Sequence, residues 1–173
     1  MVWQAKYFAV QEEGVIDNAL FIIERDFKEA LDTFYVTEAA LSPDDPQYLE
    51  DFQERSLGQI EKLNFPCLAI GPNRNAATEA AAQDRLNQAI RFDIYVGVTG
   101  DSAPRVTTKI MRYMGTLDAV LRSARKSDWK RNMSTITVGI VLEAEHVYGS
   151  VRDRESVYYR DALMQVTLVL NEQ

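Results

Sequence analysis

A chain of 173 residues with 46% hydrophobic content can bury one core but not two, so the sequence predicts a single domain. No apolar run approaches the roughly 20 residues that span a bilayer, and the first residues lack a signal peptide's apolar centre, so a soluble protein kept in a cytoplasm is expected. The net charge of −7 is uneven: residues 1–64 carry 5 Lys or Arg against 14 Asp or Glu and residues 65–173 carry 14 against 12, which argues against phosphate-backbone binding by the first third.

The first predicted element is a helix from Val15 to Leu41. Ile16, Leu20, Ile23, Phe27, Leu31 and Phe34 recur at three- and four-residue spacing, with Glu24, Asp26, Lys28, Glu29 and Asp32 on the remaining faces. Ser42-Pro43-Asp44-Asp45-Pro46 ends it, because a proline disfavours helical geometry in its predecessor. Asp44 and Asp45 in such a turn point to turn and cap chemistry before metal binding. A second helix is predicted from Gln47 to Leu63, with Tyr48, Phe52, Leu57 and Ile60 as a weaker apolar face. Phe65 to Ile70, closed by Gly71-Pro72, reads as a buried strand. The only cysteine, Cys67, lies in that run, which excludes an internal disulfide and suggests a buried spectator thiol. The alanine-rich segment 72–84 is expected to be a mobile loop that orders on assembly.

In Arg91 to Val98, the side chains of Phe92, Ile94, Val96 and Val98 take one face, and those of Arg91, Asp93, Tyr95 and Gly97 the other. The same alternation returns in Ile136, Val138, Ile140 and Leu142, and again in Ala162, Met164, Val166, Leu168 and Leu170. Between the first two strands lies a helix from Ser102 to Ala124, with Ser102 as cap, Pro104 in the first turn, and Ile110, Met114, Leu117 and Leu121 along one side. Its far end is basic: Arg122, Arg125, Lys126, Lys130 and Arg131 are opposed only by Asp128. These cations either complement the helix C-terminus or form a contact patch for an acidic neighbour, such as the N-terminal helices of another copy, or for DNA passing close by. Trp129 is expected to fold back on the core. The polar segment 147–157 is too long for a tight two-residue hairpin and should project from the sheet.

The expected fold class is α+β: a mixed or antiparallel sheet of about four strands, packed on one face by a long N-terminal helix and a central helix. The second face is left to water or to another subunit. Little in the sequence suggests chemistry. His146 could be drawn into an acid-base centre with Glu143, Glu145, Tyr148 and Tyr158, or with Cys67, giving a small α+β enzyme. No second His, Gly-rich phosphate loop or spaced Cys/His set supports that, so no catalytic, cofactor or metal residues are assigned.

The order of elements carries a resemblance. A long N-terminal helix, the strand Phe65-Pro66-Cys67-Leu68-Ala69-Ile70, then Phe92-Asp93-Ile94-Tyr95-Val96 leading into the helix of Thr108 to Leu121, is similar to the tail-terminator (tail-completion) proteins of long-tailed bacteriophages. The similarity continues through Ile136 to Leu142 and Ala162 to Leu168. It implies a virion protein without enzymatic activity: a homo-hexameric ring that caps the tail tube, stops elongation and joins the tail to the head-closure connector, with DNA passing through its lumen without specific binding. A head-closure or neck protein of the same virion class is the alternative.

Overall fold

The computed structural model describes residues 2–58, 64–73, 87–131 and 137–172. Helix α1, Val2–Asp32, buries Val15, Ile16, Ala19, Ile22, Ile23, Phe27 and Leu31 against the rest of the core. It starts well before Val15, because Gln4, Ala5, Lys6, Gln11 and Glu12 favour helix and the one interruption, Gly14, costs only about 1 kcal/mol. At its other end the helix widens into a π-turn, Thr33–Glu38. That turn shifts the periodicity: Tyr35 is buried, whereas Phe34, expected on the core side, is 58% exposed. Asp45 then shapes the turn as expected, its side chain accepting from the Gln47 amide at 2.7 Å.

No helix follows. The described residues of 47–63 run as irregular chain into a short strand β1, Glu54–Leu57, against the expected second helix; 59–63 lie outside the described residues. Tertiary contacts outweigh local propensity here. Leu49 and Phe52 are buried, Phe52 stacks on Phe27 at 4.6 Å, and the Gln53 amide donates to the Pro66 carbonyl at 2.8 Å. A helix would point that apolar pair and those amides elsewhere.

Strand β2, Cys67–Pro72, lies at the expected place; of segment 72–84, residues 74–84 lie outside the described residues. Strand β3 is Asn87–Gly100, and helix α2 is Ala103–Ser123. Ser102 holds the N-cap position in extended geometry, although its side chain makes no capping bond. A single-turn helix α3, Lys126–Trp129, precedes strand β4, Thr137–Tyr148, strand β5, Arg152–Arg154, and strand β6, Val157–Glu172.

The fold is α+β with a six-stranded sheet, two strands more than expected. The order is β1-β2-β3-β6-β4, with β5 also on β6; β1 and β2 are parallel and every other pair is antiparallel. The extra strands are β1, taken from the expected helix, and β5, taken from the expected loop. Segment 147–157 zips onto β6 through a two-residue turn, Glu155-Ser156, with φ of 52° and 68°. Neither residue is a glycine or asparagine, so the usual signal for this turn is missing from the sequence.

Strand parity divides the sheet as the alternation predicts. Ile90, Phe92, Ile94, Val96 and Val98 of β3, with Ala162, Met164, Val166 and Leu168 of β6, are buried under α1 and α2. Trp129 folds back onto this core beside Phe92, with ring centroids 6.5 Å apart.

Candidate functional site

The opposite face of the sheet carries no helix among the described residues. Register across β4, β6 and β3 sets its side chains in rows: Glu143, Thr167 and Arg91; Glu145, Gln165 and Asp93; Val147, Leu163 and Tyr95. Beyond these, Arg152 aligns with Tyr159 and Thr99, and Arg154 with Val157. One end of the face is therefore polar and mainly acidic, the middle apolar, and the far end aromatic with two arginines.

Each end has a local cause. At the acidic end, the Asn73 amide donates to Asp93 at 2.8 Å, and a shallow groove of about 460 Å³ runs between Asn73, Arg91, Glu143, Glu145 and Gln165. At the aromatic end, the Phe65 ring packs against β3 at Gly97, which has no side chain: a Cβ there would stand 2.8 Å from the Phe65 ring and 2.9 Å from the Cys67 sulfur. Phe65 meets Tyr159 edge-on with centroids 5.6 Å apart. Arg152, 72% exposed, is 3.6 Å from Asp161. The join between β4 and β5 depends on Gly149, where any Cβ would overlap the Asp161 carboxylate. The Gly149 amide donates to the Asp161 carbonyl at 2.9 Å, and Arg160 donates to the Gly149 carbonyl at 3.0 Å.

The basic residues singled out in the sequence gather around the end of α2, and several of them serve the fold. Arg122 pairs with Asp118 at 2.9 Å and donates to the Leu142 carbonyl at 3.1 Å, tying α2 to β4. Arg131 lies 3.8 Å over the Phe21 ring. The Arg125 amide donates to Asp128 at 3.1 Å. Asp128 also takes both arms of Arg25 from α1, at 2.9 and 3.0 Å, and these hydrogen bonds hold its carboxyl below the usual range. Arg125 and Lys126 remain exposed, and Lys130 is half-buried.

His146 is not brought together with the carboxylates near it in sequence. It pairs with Met164 on the helix-bearing face of β4, whereas Glu143 and Glu145 point to the bare face. Its ring stands edge-on to Tyr148 at 6.3 Å. Cys67 is separated from β4 by two strands, and burial pushes its thiol up to about 11, away from nucleophilic use. Among the described residues no group of three or more His, Cys, Asp or Glu could hold a metal ion. No helix among them is long and apolar enough to cross a membrane.

A second exposed apolar feature sits at the π-turn. Phe34, Ala30, Ala119 and Val120 line a groove of about 560 Å³ between the end of α1 and α2, with Asp26, Glu29 and Glu38 at its rim. The periodicity of the sequence sets Phe34 on the core stripe, so nothing in it marks this groove. Nor were Arg152 and Arg154 expected as members of the sheet face; their alternation with Asp153 was the available signal. No protein-family model matches the chain, and no curated protein matches it.

Proposed function

We propose that this chain is a structural virion protein of a long-tailed bacteriophage, a tail terminator that assembles as a ring, caps the tail tube, stops its elongation and offers its other side to the head-closure connector. The observation that carries the reading is the element order, similar to that family, together with an outer edge of β4 that is unpaired among the described residues. A long helix, two short strands, a long strand, a central helix and two long strands come in that order along the chain, with the short α3 and β5 before and between the last two.

The rest of the surface fits assembly better than turnover. The outer edge of β4 is unpaired among the described residues over the 12 residues from Thr137 to Tyr148, which suits a neighbouring subunit. The π-turn groove adds exposed apolar surface, which monomers seldom keep without use. Homo-hexamers, a tail tube protein and a head-closure protein are the partners of this reading, with DNA passing through the ring. A lumen wall of acidic and neutral groups would let DNA slide, because phosphate affinity comes from Lys and Arg.

Negative-stain microscopy of the purified protein mixed with tail tubes tests the proposal. Rings seated on tube ends are the expected result. Bare tube ends beside a protein that binds connector-bearing heads would transfer the reading to a head-closure protein, and binding to neither would end it.

A further inference from the structure

We infer that the bare sheet face docks against the same face of a second copy, about a two-fold axis that crosses the sheet along the row of Val147, Leu163 and Tyr95. Glu143 aligns with Thr167, four residues along β6 from Leu163 in one direction; Arg152 aligns with Tyr159, four residues in the other. At about 3.4 Å per residue, each lies roughly 14 Å from the axis. β4 and β5 also occupy the same side of β6. A two-fold rotation about that row therefore brings Arg152 over the partner's Glu143, twice in one contact. Arg154 stands one step further out from that carboxylate, and the partner's Glu145 one step further in.

The contact is apolar on the axis and again at its two outer ends. Val147 is 47% exposed and stands beside Leu163. Val169, beside Val141 at 51% exposed, is six residues from Leu163; Val157, at 38%, lies six residues the other way, so the rotation sets Val157 over the partner's Val169, with Val141 one strand to the side. Arg91 of the acidic end comes over the aromatic end of the second copy, where Phe65 and Tyr159 present ring surface. Asp161, near the axis, is matched by its own Arg152 at 3.6 Å. Among the described residues, Glu143, Glu145 and Arg154 have no ion pair within the chain, so a second copy supplies the charges they lack. This occupant is favoured over a uniformly acidic or basic partner because neither end could be matched by one sign alone.

The contact is reciprocal and closes at two copies. It stands apart from the heterologous contact that closes a ring, and it does not rest on the tail reading.

Light scattering coupled to size exclusion tests it with charge exchange. The wild-type protein is expected to pair, and the double variants Arg152→Glu with Arg154→Glu, and Glu143→Arg with Glu145→Arg, are expected to lose pairing by at least tenfold in dissociation constant. Combining all four substitutions, or mixing the two double variants, restores it. A Val147→Cys variant in a Cys67→Ala background gives a second readout, since residues on the axis should join to themselves through a bis-maleimide of about 10 Å, the spacing of stacked sheets. A wild-type monomer at high concentration, or masses unchanged by both double variants, overturns the inference. A ring whose mass ignores these substitutions leaves the tail reading standing and removes this one; a charge-dependent pair that ignores tail tubes does the reverse.

Discussion

The buried side-chain amide of Asn18 on α1 donates to the Trp129 carbonyl at 2.9 Å, and its second hydrogen serves the Arg131 carbonyl at 2.8 Å. One polar side chain, 2% exposed, thus ties the N-terminal helix to the segment after α2.

Asn18→Leu leaves two carbonyls without their donor in a buried setting, at about 1–3 kcal/mol for each group left unsatisfied. The urea midpoint should fall with the slope unchanged. An unaltered midpoint would show that the two carbonyls find other partners.

Glu155 and Ser156 hold positive φ without the asparagine or glycine that tolerates it. The double substitution Glu155→Asn with Ser156→Gly should stabilise the protein by about 1 kcal/mol, read as a rise of roughly 2–4 °C in Tm. A fall would mean that the Glu155 or Ser156 side chain makes a contact worth more than the strain.

Asp128 contributes to stability with a defined pH sense. Its folded carboxyl titrates below the ordinary value because Arg25 donates to it, so the unfolded chain takes up the proton first. The contribution is fully present above the unfolded value of about 4 and is lost as pH falls through the lower folded value. The stability difference between wild type and Asp128→Asn should stay level above about pH 5 and shrink on acidification. A difference independent of pH down to about 2 would remove the ion pair as its source.

Much of the sheet was legible because alternation is a local property: Phe92, Ile94 and Val96, or Met164, Val166 and Leu168, announce their burial two residues at a time. The central helix was legible for the same reason. The region of β1 was not, since Tyr48, Phe52, Leu57 and Ile60 fit a helical spacing, whereas Glu54 to Leu57 take their place from pairing with Cys67 to Ile70. Phe34 was misplaced because a π-turn inserts an extra residue without changing composition. The hairpin tip was hidden by turn residues that do not favour its geometry. As for the candidate surface, the carboxylates of Glu143 and Glu145 were readable as a polar parity. Their placement relative to Arg152 was not, because it depends on the join at Gly149.

The sheet order also has a consequence for how the chain acquires its fold. β6 lies between β3 and β4, so Asn87 waits for Asn171, and Gly100 for Tyr158. The local hairpin of β4, β5 and β6 can close within microseconds, whereas one backbone edge of β3 stays unpaired until that hairpin arrives. During synthesis β3 is thus made well before the strand that covers its second edge, and that edge stays open to other chains in the interval.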